Sequence, residues 1–211
     1  INHGFGDVIQ GPWLMEQMQK QAHSVGTELV TDMIKSVDFS SRPFRAEGED
    51  GQTYTADTVI ISTGASARWL GLESETKFQN NGVSACATCD GFFFQDQDVC
   101  VVGGGNSAVE EALYLSKIAK SVTLIHRRDS LRAEQILQDR LFADEKINVI
   151  WNSTVEEIMG DETVNKIKLK STEDQSVVEL ETNGVFIAIG HDPATSIFKG
   201  HVDIDHEGYI K

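Results

Sequence analysis

The chain has 211 residues, 40% of them hydrophobic, which is enough for one large domain or two modest ones. Its formal charge of −15 argues against nucleic-acid binding, because phosphate contacts need a clustered basic face. No apolar run is long enough to span a bilayer, no signal peptide is recognisable, and 3 cysteines are too few for a secreted disulfide scaffold. We therefore predict a cytoplasmic protein that binds neither nucleic acid nor membrane.

The first third of the chain predicts one helix followed by short strands. Residues 11–25 have helical periodicity, with Pro12 suited to the first turn and Gly26 to the end. Strands are predicted at residues 28–32, 34–39, 43–47, 52–56 and 58–62. The Glu-Asp-Gly turn at 49–51 is typical of a hairpin and joins two of these strands.

The middle of the chain has the pattern of an α/β protein. Strands at 99–102 and 121–126 alternate with helices at 107–119 and 133–143, and this predicts a βαβ unit with a parallel sheet. Segments 148–157, 164–171 and 177–181 then alternate with polar turns, which predicts an antiparallel meander. A last apolar strand is expected at 184–189.

A glycine-rich turn lies between the strand at 99–102 and the helix that follows it. The residues Gly103, Gly105 and Ala108 form the pattern G-x-G-x-x-A, with Asn106 and Ser107 between the last two. The first glycine permits the tight turn, the second admits a pyrophosphate close to the backbone, and the alanine keeps the helix near the sheet. In this context the turn predicts dinucleotide binding. A merely structural turn is the alternative.

A cluster of basic residues follows the second strand of the βαβ unit. An NAD site usually carries an acid there, whereas this strand ends with His126, Arg127 and Arg128, and Arg132 lies shortly after. Guanidinium groups match a ribose 2′-phosphate because each can bind two of its oxygens. The sequence therefore predicts NADPH in preference to NADH. A solvated basic loop is the alternative.

Two cysteines, Cys86 and Cys89, have the CxxC spacing that serves either a redox disulfide or half of a zinc site. Zinc would need two further ligands. Cys100, the one other cysteine, lies within an apolar strand where core packing explains it, and the histidines show no paired spacing. We predict a redox pair and no metal. Asp90 follows at once, either as a proton shuttle or as a turn residue before a glycine.

Several segments together resemble one family. The string GVSACATCDG at residues 82–91 is similar to the redox motif of low-molecular-weight, bacterial-type thioredoxin reductases. The resemblance continues through residues 103–115, 126–129, 132–134, 186–193 and 207–210, and TGAS at 63–66 resembles the family's flavin-side strand end. It therefore covers essentially the whole chain.

The resemblance implies an oxidoreductase with two dinucleotide-binding, Rossmann-like domains, the NADPH domain inserted into an FAD domain. It implies that residues 1–66 and 197–211 are incomplete parts of the FAD domain and that residues 67–196 form the NADPH domain. Electrons are expected to pass from NADPH through FAD to the CxxC disulfide and then to thioredoxin, in a homodimeric whole protein.

The resemblance also implies roles for individual residues. Cys89 is expected to face the flavin, Cys86 to attack thioredoxin and Asp90 to donate and accept the proton. Arg127, Arg128 and Arg132 are expected to hold the 2′-phosphate. Further contacts are expected from Ile189 and Gly190 toward NADPH and from Thr63, Gly64 and Ala65 toward FAD.

The chain departs from the family pattern at both ends. It shows neither the family's own G-x-G-x-x-G turn for FAD nor the closing flavin segment and dimer-interface helix. We therefore expect a central fragment that, at this length, binds FAD poorly or not at all and cannot turn over. The flavoprotein subunit of an alkyl hydroperoxide reductase, a ferredoxin-NADP-type flavin reductase and a non-catalytic NADPH-binding module are weaker alternatives.

Overall fold

The computed structural model describes residues 10–211, which fall into two compact units. The first unit holds the described residues up to Ser62, with Thr195–Asp205 and Ile210–Lys211. The second unit holds Thr63–Ala194 and His206–Tyr209. The first nine residues of the segment predicted to begin the FAD domain lie outside the described part of the chain.

The first unit contains one helix and a small antiparallel sheet. Helix α1 spans Gly11–Ser24 and is followed by strands β1 (Ile34–Asp38), β2 (Phe44–Gly48) and β3 (Thr53–Ala56), paired in the order β1-β2-β3. The predicted turn between β2 and β3 is confirmed, with Gly51 at φ 84°. A short 3₁₀ helix, Ser196–Phe198, brings Phe198 into a stacked contact with Phe39 at 6.2 Å between ring centroids.

Two predicted strands of the first unit are wrong. Residues 28–32 and 58–62 are not strands, and no strand among residues 10–211 pairs with either segment. A strand needs a neighbour to satisfy its backbone N–H and C=O groups. Without one, the apolar side chains that favoured a strand stay exposed: Val30 is 51% and Ile60 91% accessible.

The second unit contains ten strands and four helices. The elements are β4 (Ala65–Ala67), α2 (Glu73–Lys77), β5 (Val83–Ser84), α3 (Ala87–Asp90), β6 (Asp98–Gly103), α4 (Asn106–Leu115), β7 (Ser121–Ile125), α5 (Gln135–Phe142), β8 (Ile147–Ile150), β9 (Ser153–Gly160), β10 (Val164–Ser171), β11 (Val177–Glu181), β12 (Gly184–Ala188) and β13 (His191–Pro193). A 3₁₀ turn, Gly91–Phe94, follows α3.

A five-stranded sheet with the order β5-β12-β6-β7-β8 is the centre of the second unit, and its pairings are parallel. Alternate residues of β6 face opposite sides. Val99 and Val101 pack with the helices, whereas Cys100 and Val102 pack with the meander β9–β11. Burial raises the pKa of the Cys100 thiol to about 12, as suits a core residue.

The predicted α/β fold, βαβ unit and antiparallel meander are confirmed in the second unit. The single strand predicted at 148–157 is wrong. Asn152, at φ 49°, turns the chain between β8 in the parallel sheet and β9 in the meander. Within residues 10–211 no helix combines the length and the apolar character that a membrane crossing requires.

Candidate nucleotide and redox sites

The glycine-rich turn joins β6 to α4 and is closely packed at its first two glycines. A Cβ on Gly103 would overlap the Ala188 carbonyl oxygen and lie 2.7 Å from Ala108 Cβ. A Cβ on Gly104 would overlap the ring of His126, which is only 6% exposed. Glycine is therefore required at both positions, and the helix lies close to the sheet as the motif predicts.

The third glycine faces open space instead. A Cβ on Gly105 would meet no protein atom within 4 Å. Gly105 is the N-cap of α4, and no side chain caps the helix there. The first N–H groups of the helix have no intrahelical acceptor, so this end of α4 offers donors and a partial positive charge to an anion.

The segment that carries the predicted arginines is fixed to the glycine-rich turn by two hydrogen bonds. The Arg132 backbone N–H donates to the Gly104 carbonyl oxygen at 2.7 Å. The Glu134 backbone N–H donates to Asn106 Oδ1 at 2.8 Å. Asn106 thus supports the loop through its side chain. These bonds hold the loop against the N-terminus of α4, where a nucleotide phosphate would lie.

A pocket of about 510 Å³ opens at this edge of the sheet. Most of the predicted NADPH residues line it: Gly103, Gly105, Ser107, His126, Arg127, Arg132, Ile189 and Gly190. Asn106, Ala108 and Arg128 do not, since the first two support the turn and the loop. The carboxyl ends of β6, β7 and β12 meet here, which is where nucleotides bind in parallel sheets.

Three observations fit an anionic nucleotide in this pocket. The arginines 127, 128 and 132 are exposed and take part in none of the ion pairs found among residues 10–211. The His126 Nε2 atom is buried without a hydrogen-bond partner in the described part of the chain. Burial lowers the pKa of His126, so the neutral ring can offer a hydrogen bond to a ligand. Free cations and an orphaned ring nitrogen are the groups that a bound phosphate and ribose would satisfy.

One pocket residue that the sequence analysis missed is Arg68. It follows β4, and its Nε pairs with Asp192 Oδ1 at 2.6 Å, while its backbone N–H donates to the Gly190 carbonyl oxygen at 2.9 Å. No motif marks this position. The antiparallel pairing of β4 with β13 brings Arg68 beside the last predicted nucleotide residues.

The predicted flavin-side residues lie at the start of this same strand. The Thr63 hydroxyl donates to the Ala194 carbonyl oxygen at 2.7 Å, and the Ala194 backbone N–H donates to the Gly64 carbonyl oxygen at 2.9 Å. Ala65 is paired with Pro193. None of the three lines the nucleotide pocket. Their contact with FAD stays a prediction.

The CxxC pair forms a disulfide, with its two Cα atoms 5.3 Å apart. Cys86 is the N-cap of α3 and is half-buried, whereas Cys89 lies within the helix and is exposed. The backbone N–H groups of Cys89 and Asp90 both donate to the Cys86 carbonyl oxygen, at 3.2 and 3.1 Å. This turn keeps the two sulfur atoms within bonding reach.

Ser84 fixes both Asp90 and Cys86, and the sequence analysis missed it. Its hydroxyl donates to Asp90 Oδ2 at 2.6 Å and accepts a hydrogen bond from the Cys86 backbone N–H at 3.0 Å. The Asp90 carboxyl is thereby held beside the disulfide segment. Residues 10–211 contain no group of three or more His, Cys, Asp or Glu side chains placed to hold a metal ion.

A carboxyl that the sequence analysis missed, Glu111, projects from α4 toward the redox segment. The Ala87 backbone N–H hydrogen-bonds to this carboxyl, and its Oε2 atom is buried without a partner in the described residues. Burial raises the pKa of Glu111 to about 7. The sequence gives no signal for Glu111 beyond its place in a predicted helix, and its neighbour Glu110 shares that place.

Comparison with known proteins gives a consistent result. Residues 4–211 match the family described as pyridine nucleotide-disulphide oxidoreductase. The chain is 55% identical over 210 residues to a thioredoxin reductase of Rickettsia conorii, covering 98% of this chain and 68% of the relative. It is 54% identical over 211 residues to that of Vibrio cholerae, covering 98% of this chain and 66% of the relative.

Solved structures of thioredoxin reductases are also similar to this chain. The thioredoxin reductase of Streptococcus pyogenes is 42% identical with a TM-score of 0.79, covering 99% of this chain and 68% of that one. The thioredoxin reductase of Giardia duodenalis is 40% identical with a TM-score of 0.83, covering 98% and 68%. The chain therefore spans about two thirds of the length of the proteins it matches.

Proposed function

The chain belongs to the thioredoxin reductases within the pyridine nucleotide-disulphide oxidoreductase family, and we propose that it carries electrons from NADPH, by way of FAD, through the Cys86–Cys89 disulfide to oxidised thioredoxin. The observation that carries the proposal is the disulfide within CATCDG, in the same unit as the nucleotide pocket. FAD, when bound, supplies the two-electron relay between nicotinamide and disulfide.

The residues that line the pocket suit the phosphate groups of NADPH. The N-terminus of α4 and the open face of Gly105 suit the pyrophosphate, and the exposed guanidinium groups of Arg127 and Arg132 suit a 2′-phosphate. Arg128 lies on the same loop outside the lining and adds positive charge to the entrance. Each charge-assisted hydrogen bond contributes about 1.5–3 kcal/mol, so two of them favour NADPH over NADH by more than roughly tenfold.

The thiol chemistry involves the two cysteines and the neighbouring acid. Two electrons and two protons convert the disulfide to two thiols. Cys86, as thiolate, attacks the thioredoxin disulfide, and one thioredoxin sulfur leaves with the electron pair of the broken S–S bond. Cys89 then attacks Cys86 in the mixed disulfide, which releases reduced thioredoxin and restores the original disulfide. Asp90, held by Ser84, exchanges the proton with the departing thiolate.

The domain roles are part of the proposal. We assign residues 67–196 to NADPH binding, and residues 1–66 and 197–211 to the FAD domain, with Thr63, Gly64 and Ala65 on the flavin side. The pocket and the disulfide both lie within Thr63–Ala194, which supports the first assignment. The family resemblance further supports a cytoplasmic homodimer that does not bind membranes, and the net charge of −15 argues against nucleic-acid binding.

Thioredoxin reduction by the flavin-loaded whole protein tests the function. Oxidised thioredoxin is supplied with NADPH, and the loss of NADPH absorbance and the gain of thioredoxin thiols are measured together. We expect equal amounts of both. Cys86→Ser should still let NADPH bleach the flavin but abolish thioredoxin reduction. If NADPH is consumed without thiols forming on thioredoxin, the protein is not a thioredoxin reductase.

A non-catalytic NADPH-binding module is the second candidate. It is favoured by a pocket whose lining residues all lie within the second unit. A module of this kind binds NADPH without requiring the disulfide. Tight NADPH binding with no flavin bleaching in the wild-type protein would support it, whereas bleaching excludes it.

A further inference from the structure

Helix α4 connects the two sites of the second unit. The first turn of α4 directly follows the glycine-rich turn, at the end of the helix where a nucleotide phosphate is proposed to bind. Its middle and last turn pack against the redox segment, since a Cβ on Gly91, which ends α3, would lie 3.0 Å from Leu115 Cδ2 and 3.4 Å from Tyr114 Cε1. Glu111 lies between these two ends, so its carboxyl is carried by the helix that supports α3.

Glu111 is bonded at the peptide group that immediately follows Cys86. The Ala87 backbone N–H is the donor, and Ala87 itself is only 1% exposed. The other carboxyl oxygen, Oε2, is buried with no partner in the described residues. Water does not reach the buried oxygen, so the negative charge of an ionised Glu111 is screened less than that of an exposed carboxylate. The charge therefore acts more strongly on nearby groups.

We propose that Glu111 is a positioning residue for the redox pair, holding the peptide after Cys86 and opposing ionisation of the Cys86 thiol once the disulfide is reduced. This inference rests on the proposed function, in which Cys86 is the attacking thiol. While Glu111 is ionised, its negative charge favours the neutral thiol. When Glu111 is protonated or replaced by a neutral side chain, this opposition is lost and the Cys86 thiol ionises more readily.

Other acidic and basic side chains on α4 and on the elements packed against it either have partners of their own or, like Arg140 on α5, are exposed to solvent. On α3, Asp90 accepts from Ser84. On β6, Asp98 accepts from Lys120 and Ser121, and on α5 Asp139 accepts from Gln135. Glu110, beside Glu111 on α4, is exposed to solvent. Glu111 is therefore the carboxyl that reaches the redox segment from a neighbouring element.

The rate of alkylation of Cys86 at different pH values tests this proposal without NADPH, flavin or thioredoxin. The full chain carrying Cys89→Ser is reduced, treated with iodoacetamide and analysed by mass spectrometry, which reports the thiolate fraction of Cys86. Cys100 is buried and its pKa is about 12, so it stays unreactive in the folded chain. Glu111→Gln, which keeps an oxygen for the Ala87 N–H, is compared with Glu110→Gln.

We expect Glu111→Gln to speed alkylation at about pH 8 by about threefold or more and to lower the apparent pKa of Cys86, with Glu110→Gln unchanged. Glu111→Met, which removes the charge and fills the space, should do the same if Glu111→Gln fails to fold. Equal rates in all variants, or the same increase in Glu110→Gln, would overturn the proposal. Because the proposed function is tested by thioredoxin reduction, failure of one is distinguishable from failure of the other.

Discussion

The Arg132 backbone N–H lies 2.7 Å from the Gly104 carbonyl oxygen and donates a hydrogen bond to it. This bond ties the arginine loop to the glycine-rich turn, although the two are separated by helix α4 and strand β7. The free N–H groups at the start of α4 and the backbone of the loop that carries the arginines, the two parts of the proposed phosphate site, are therefore held together before any nucleotide binds. Preorganisation of this kind lowers the cost of ordering the site on binding.

Loss of an arginine from the loop should weaken NADPH binding selectively. Arg127→Ala and Arg132→Ala remove side chains that line the pocket, and each should raise the Kd for NADPH by roughly tenfold because a charge-assisted phosphate contact is lost. The Kd for NADH should hardly change. Arg140→Ala, on the exposed side of α5, is the control. Calorimetric titration of each variant measures both constants, and equal losses for the two nucleotides would show that the arginines only support the fold.

Two adjacent glycines should respond differently to the same substitution. Gly104→Ala places a methyl group against the buried His126 ring and should destabilise the fold by about 1–3 kcal/mol. Gly105→Ala meets no protein atom and should leave the melting temperature unchanged, yet weaken NADPH binding because the methyl group occupies the space of the pyrophosphate. Thermal melts and nucleotide titrations separate the two effects. A Gly105→Ala variant that binds NADPH normally would place the phosphate elsewhere.

Removal of the Ser84 hydroxyl should slow proton transfer at the redox pair. Asp90→Asn removes the acid and should lower thioredoxin reduction by the flavin-loaded whole protein about 100-fold. Ser84→Ala leaves the acid but frees it from its 2.6 Å hydrogen bond, so a smaller loss of roughly tenfold is expected. Stopped-flow measurement of thiol oxidation by thioredoxin gives both rates. Wild-type rates in Asp90→Asn would assign the aspartate to the turn alone.

The half-buried carboxyl of Glu111 should make stability fall as pH rises. Burial raises its pKa from the ordinary 4.5 to about 7 in the folded chain. The stabilising contribution of the neutral carboxyl is complete below pH 4.5 and is lost as pH rises through about 7. Glu111→Gln should therefore gain melting temperature relative to wild type as pH increases across this range. Glu110→Gln is the matched control, and a difference that stays constant with pH would contradict the burial of this charge.

Much of the second unit could be predicted from the sequence because its signals are local. The apolar run of β6, the glycine-rich turn and the periodicity of α4 are each contained in a few residues, and β10 and β11 have the bounds that were predicted. The same holds for the placement of Arg127 and Arg132 at the pocket, since a strand end fixes which loop lies at which edge of the sheet.

What the sequence did not reveal depends on contacts between distant segments. Arg68 reaches the pocket through the pairing of β4 with β13, and Ser84 reaches Asp90 across the redox turn. In the first unit, segments 28–32 and 58–62 contain residues that favour strands but have no pairing strand among residues 10–211. Composition reports a preference, whereas a strand exists only when its neighbour is present.

A side-by-side titration of this chain with NADPH and NADH tests most directly whether the pocket binds NADPH. The unpaired arginines, the open face of Gly105 and the orphaned His126 nitrogen together predict tight NADPH binding and a Kd for NADH more than roughly tenfold higher. Equal affinity for the two nucleotides, or binding of neither by a chain that melts cooperatively, would contradict the assignment of this pocket to NADPH.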